Sequence, residues 1–192
     1  MISPDAVADE ILRKAVALVR KGDEGQLHAL DAFPVAIYVT DIDGFITYFN
    51  PACIDFAGRT PTLKQDRWCV TWKLYTNQGD FLPHQRCPMA VAIQTKRSVR
   101  GVTAVAERPD GIRVKFQPFP TPVISENGEL LGAVNMLVDI TGNAGPASQE
   151  DPPSSRSERV RQALQTFTTR EVQDLVEEIE TELGRRPPRV LN

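Results

Sequence analysis

An α+β fold, in which an antiparallel sheet carries helices across one face, is the class that this sequence predicts. Two observations lead to it. Between residues 31 and 141 the chain runs in short β-like segments divided by turn residues, and after two short helical segments three strands follow in meander order. That order builds an antiparallel sheet. Ahead of this body, residues 4–22 repeat their apolar side chains at helical spacing instead.

The elements can be justified in turn. Pro4 and Asp5 open the first helix, Val7, Ile11, Leu12, Ala15, Leu18 and Val19 form one stripe, and Gly22 closes it. Its polar face is complete, so the stripe needs a cover: the sheet of its own domain or the same helix in a second chain. "VAIYVT" and "FITYFN" then flank "DIDG" as a hairpin, and "PACIDFAG" makes a short helix with Asn50 as its cap, Pro51 at its first position and Gly58 at its end. A loop-rich middle holds Trp68, Trp72 and Tyr75, and "CPMAVAIQTK" is a second short helix. The strands "SVRGVTAVAER", "IRVKFQPF" and "LLGAVNMLVDIT" are separated by the turns "PDG" and "SENGE". In the middle one, Arg113, Lys115 and Gln117 alternate with Ile112, Val114 and Phe116, which predicts one solvent-facing side.

Four regions follow. Residues 1–30 hold the N-terminal helix, which offers a dimer contact, and residues 31–141 form the domain. Residues 142–157, rich in Gly, Pro and Ser, read as a linker. Residues 158–192 read as a helical tail, where Thr168 and Glu171 form a capping box and Val172, Leu175, Val176, Ile179 and Leu183 a stripe. Glu171, Asp174, Glu177, Glu178, Glu180 and Glu182 oppose a single Arg170 there, a surface that phosphates repel. A net charge of −3 likewise gives no pull towards nucleic acid or an anionic membrane. Without an 18-residue apolar run or a leader pattern, and with three cysteines free of any CxxC spacing, the expectation is a cytoplasmic protein with reduced thiols.

At this point three segments resemble the PAS sensor family. They are "TDIDGFITYFNPA" (40–52), "LPHQRCPMAVAI" (82–93) and "ENGELLGAVNMLVDIT" (126–141), the last ending in the family's Asp-x-Thr as Asp139, Ile140 and Thr141. The resemblance implies a PAS fold, a five-stranded antiparallel sheet with helices across one face and a cavity between them. It also implies a signalling role through a small ligand or a dimer interface, with a homodimer and a protein partner such as a kinase or regulator. The family's helix running straight out of Asp-x-Thr is interrupted here by Gly142, Gly145, Pro146, Pro152 and Pro153, so the tail is expected to act as a tether.

Asp41 and Asp43 with Gly44 suggest a calcium loop, but the fifth position is Phe45 and the glycine falls at the fourth, so turn chemistry is expected and no metal. Cys53 is expected as a small buried thiol. Neither "PACIDF" nor "RWCVTW" matches the light-oxygen-voltage cysteine motif, and Leu137 stands where that subclass places a glutamine, so a flavin is not expected. Haem would need His28 or His84. His84 is the cofactor candidate of an alternative reading as a redox or gas sensor, against an ordinary capping or hydrogen-bond role. Asn135 and Leu137 share a strand face that would look into the cavity, where the Asn135 amide must find a ligand, a backbone group or water. Trp68, Trp72 and Tyr75 are candidates for the cavity mouth, with core packing as their ordinary use. No catalytic residue is expected, since no nucleophile–base order, phosphate loop, kinase or cyclase motif occurs.

Overall fold

A computed structural model describes residues 4–22 and 24–141. The linker of residues 142–157 and the tail of residues 158–192 lie outside the described residues. Helix α1 (Pro4–Lys21) comes first, followed by a 3-10 segment (Glu24–Ala32) and the hairpin β1 (Ala36–Thr40) and β2 (Ile46–Phe49). Helix α2 (Pro51–Ala57), strand β3 (Lys73–Tyr75) and helix α3 (Pro88–Thr95) precede the meander. The meander consists of β4 (Ala104–Glu107), β5 (Arg113–Pro118), β6 (Thr121–Ile124) and β7 (Leu130–Asp139).

All strand pairs are antiparallel, in the order β2-β1-β7-β5-β4-β3, with β6 also pairing β7. Among the described residues seven strands thus stand where five are expected. One extra is the three-residue β3 at the edge, too short to register as a periodic pattern. The other arises because β5 and β6 lie end to end along the same side of β7, divided around Pro118 and Pro120. A proline supplies no ladder donor, and the run breaks there.

Helices α2 and α3 lie across one face of the sheet as expected, and the N-terminal helix covers the other. α2 and α3 pack on one side over Tyr38, Ile46, Leu74, Val114, Phe116 and Leu137. On the other, Ile11, Leu12, Ala15 and Leu18 of α1 pack over Ile37, Val39, Val134, Met136 and Phe119. Of its two possible covers, the α1 stripe therefore takes its own sheet. This explains why β1 is buried along its whole length and why β7 is buried over Gly132–Val138. No helix among the described residues is long and apolar enough to cross a membrane.

Two local expectations need correcting. Asn50 occupies the position before α2, but its side chain makes no cap bond. Instead the fully buried amide donates to the carbonyls of Leu30, Phe33 and Val35 at 3.2, 3.1 and 2.8 Å and accepts from the Ile37 N–H at 2.9 Å. It ties the lead-in to the sheet. On β5 the solvent-facing side holds for Arg113, but Gln117 is buried, because β5 passes from the sheet edge to its centre at that end.

Candidate functional site

The site is built where the two central strands meet. Tyr38 of β1 and Asn135 of β7 are register partners, so both side chains leave the sheet together towards α2 and α3. The Asn135 Nδ2 donates to the Tyr38 hydroxyl at 3.0 Å, and that hydroxyl donates to the Trp68 carbonyl at 3.0 Å. At the other end, the Asn135 Oδ1 accepts from the Phe119 N–H at 2.9 Å, at the break between β5 and β6. A continuous polar relay therefore runs through an otherwise apolar core, from the loop before β3 to the centre of the sheet. Asn135 finds its partners in backbone and tyrosine.

The loop end of the relay is held under strain. Trp68 adopts φ +71°, a conformation unusual for a non-glycine residue. Its N–H donates to the Gly44 carbonyl at 2.7 Å, and its indole lies so close to Gly44 that a Cβ there would fall 2.2 Å from the ring. The Arg67 guanidinium sits over both neighbours, 4.9 Å from the Phe45 ring centroid and 4.8 Å from that of Trp68. Gly44 itself has φ +84° in the turn. The Asp41 Oδ1 accepts from the Asp43 and Phe45 N–H groups at 3.0 and 2.9 Å, which closes the turn.

Three free, buried cysteines surround the relay. Cys53 donates to the Ile37 carbonyl at 3.3 Å, the Cys87 thiol lies 3.8 Å from the Trp68 carbonyl, and Thr71 donates to the Cys69 sulfur at 3.2 Å. Burial pushes all three thiols up, Cys87 to about 12, so they are neutral groups with none of the thiolate character of a nucleophile. Burial, and then the proximity of Cys69 and Cys87, likewise raises Tyr38 well above the usual phenol range. Tyr38 is thus held as a permanent donor.

The residues named from the sequence are distributed unevenly around this core. Asn135, Leu137 and Trp68 come together on the face covered by α2 and α3. Trp72 is 44 % exposed with the Lys73 ammonium 4.0 Å over its ring, and Tyr75 packs at the sheet edge against Phe81 and Arg113. His84 lies in a 3-10 turn before α3, partly buried, and its Nε2 has no partner among the described residues. Burial, reinforced by the Arg59 charge and opposed by Asp66, lowers its pKa, so the ring is neutral. His28 is an exposed partner of Asp31 at 2.9 Å. Tyr38 was missed in the sequence because "VAIYVT" reads as ordinary strand; only its cross-strand pairing with Asn135 reveals its part.

At the end of β7 the Asp-x-Thr segment forms a clasp. The Thr141 N–H donates to the Asp139 carboxylate at 2.8 Å, and the Thr141 hydroxyl accepts from the Lys115 N–H at 2.9 Å. The Ile140 N–H completes the join to the Lys115 carbonyl at 2.8 Å.

No family model matches the chain, and no curated protein does. Solved structures similar to it include an RNA-binding light-oxygen-voltage receptor, 22% identical over 73% of this chain with a TM-score of 0.46. The chain spans only 36% of that receptor's length. Another is the PAS domain of a Colwellia psychrerythraea protein, 20% identical over 62% of this chain and 98% of its own, at 0.43. A third is the light-oxygen-voltage domain of the Erythrobacter litoralis blue-light activated histidine kinase, 18% identical over 57% of this chain and 98% of its own, at 0.42. A further light-oxygen-voltage structure is described with a flavin analogue. These neighbours overturn the expectation against a flavin. Strand order settles the fold: β2-β1-β7-β5-β4, with α2 and α3 between the hairpin and the meander, is the PAS arrangement. The chain has the fold of the PAS sensor domains that its sequence resembles.

Proposed function

We propose that this chain is a signal-sensing module that acts without a catalytic step of its own. A small ligand or a contact on the face covered by α2 and α3 alters the loop around Trp68, and the change passes through Tyr38 and Asn135 to β7 and on to a protein partner. One observation carries this reading: the unbroken relay from the Trp68 carbonyl to the Phe119 N–H, set in an apolar core. Such a network is rigid when complete and costly when broken, so it favours two discrete arrangements over gradual deformation. The strained φ of Trp68 supplies the movable end.

Three buried, unpaired thiols suit a reducing cytoplasm. A homodimer and a kinase-like or regulatory partner fit an output by contact. Because the α1 stripe is already covered, a dimer would use another surface. The experiment is ligand-dependent melting of the full chain, with a visible absorption spectrum of the freshly purified protein and a probe set of flavins and small planar metabolites. A binder present at 100 times its Kd stabilises by about 2.7 kcal/mol. The reading expects such a shift, reduced in Tyr38→Phe. A probe set that moves neither protein, together with a partner screen unaffected by Tyr38→Phe, would overturn it.

A further inference from the structure

A cleft of about 560 Å³ opens beside α1, on the sheet face opposite α2 and α3, between that helix, β6 and the segment before β4. Its α1 wall is one helical stripe, on which Leu12, Val16 and Ala17 supply apolar surface and Arg13 and Arg20 border it. Arg100 forms the opposite wall. Its guanidinium is fixed by donation to the Val99 and Pro120 carbonyls, both at 3.1 Å, and to the Thr121 hydroxyl at 2.9 Å. Among the described residues Asp9 is the one carboxylate lining the cleft, and it lies 3.7 Å from the Arg100 guanidinium. The cleft thus combines an apolar strip with a positive margin.

We infer that this cleft seats the acidic amphipathic segment of residues 168–184 of the same chain. The sequence of that segment is its complement: an apolar stripe of Val172, Leu175, Val176, Ile179 and Leu183, accompanied by six carboxylates and one arginine. Charge complementarity fixes partner and register, while the stripe covers the exposed Ala17 and half-buried Val16.

Reach permits it. Thr121, at the cleft, is the register partner of Val134, so the cleft lies beside β7 about seven residues before Thr141. That is roughly 23 Å along a strand. The sequence places 26 residues between Thr141 and Thr168, and a flexible chain of that length spans roughly 28 Å. Tethering at that range gives an effective concentration on the order of millimolar, so a weak contact closes. Docking would make the tail a reversible cover on α1, the element that lies against β7 from behind.

A photocrosslinking residue tests this in the full chain, with Ala17 replaced by p-benzoylphenylalanine. The expected product has monomer mass and joins position 17 to a peptide within residues 168–184. Its yield should fall about fivefold or more in Arg13→Glu/Arg20→Glu. It should partly recover when Glu178→Arg and Glu182→Arg are added, since these two lie beside Leu175 and Ile179 on a helix. The inference is overturned by products of dimer mass alone, by crosslinks only to other segments, by no crosslink, or by a yield indifferent to charge reversal. The outcome is independent of the Tyr38 relay, whose failure would show in ligand-dependent melting instead.

Discussion

Tyr38 and Asn135, 97 positions apart, meet as direct cross-strand partners, and the amide donates to the phenol oxygen at 3.0 Å in the buried core. Removing either group strands the other. Tyr38→Phe leaves the Trp68 carbonyl and the Asn135 amide each short of a partner and should cost about 1–3 kcal/mol. In Tyr38→Phe/Asn135→Leu the loss should be smaller than the sum of the single losses, as a double-mutant cycle by chemical denaturation would show. Additivity would mean that the two residues are not one network.

Gly44 and Gly79 offer a matched pair. Both have positive φ, +84° and +92°, but a Cβ at Gly44 would meet the Trp68 ring at 2.2 Å while one at Gly79 meets nothing within 4 Å. Gly79→Ala should therefore cost only its backbone strain, about 1–2 kcal/mol. Gly44→Ala should cost clearly more and change the Trp68 emission spectrum. Equal losses of melting temperature would contradict the packing.

The pH profile of stability should have two edges. Cys87 is raised from 9.0 to about 12, so its contribution is whole below pH 9 and is lost as pH climbs from 9 towards 12, where the unfolded thiol ionises first. The expected slope is about 1.4 kcal/mol per pH unit. Cys53 and Cys69 shift the same way and add to it. On the acid side the lowered pKa of His84 works in reverse: stability is whole above its ordinary 6.5 and falls as pH drops below it. Denaturation curves from pH 5 to 10 check both edges, and His84→Gln should flatten the acid one.

The same burial predicts slow thiol chemistry. In the native protein Cys53, Cys69 and Cys87 should react with an aromatic disulfide reagent at neutral pH only as the chain opens, and all three should react at once in denaturant. A thiol that titrates rapidly under native conditions would contradict its placement.

Thr141→Val tests the clasp at the end of β7. It removes the acceptor for the Lys115 N–H while keeping the side-chain shape, and about 1 kcal/mol of stability should go with it. Hydrogen exchange at Lys115 should quicken while that at Met136 stays slow.

Much of this fold was legible because its signals are local. The α1 stripe, the "DIDG" turn and the two proline-led helices each declare themselves within a few residues. Placement of Asn135 and Leu137 on one face also followed from strand alternation alone. Two features were illegible for the same physical reason, dependence on distant partners. The burial of Gln117 follows from where β5 crosses the sheet, and the task of Asn50 follows from three carbonyls some 15–20 residues upstream. Tyr38 belongs to this class too, since its role is fixed by a strand that arrives near the end of the domain. Trp68, Trp72 and Tyr75 look alike in sequence; the positive φ at Trp68 turns that ring inward, while Trp72 stays at the surface.

The cover that α1 gives the sheet has a consequence for synthesis. Ile11, Leu12, Ala15 and Leu18 leave the ribosome long before Val134 and Met136, the residues they rest on. At roughly 5–20 residues per second, the intervening stretch of about 120 residues takes on the order of 6–24 seconds to make. For that interval the stripe has only the lead-in and the first strand, with Ile37 and Val39, to lie on. A nascent chain of this design invites a chaperone at α1, and release waits for the last strand.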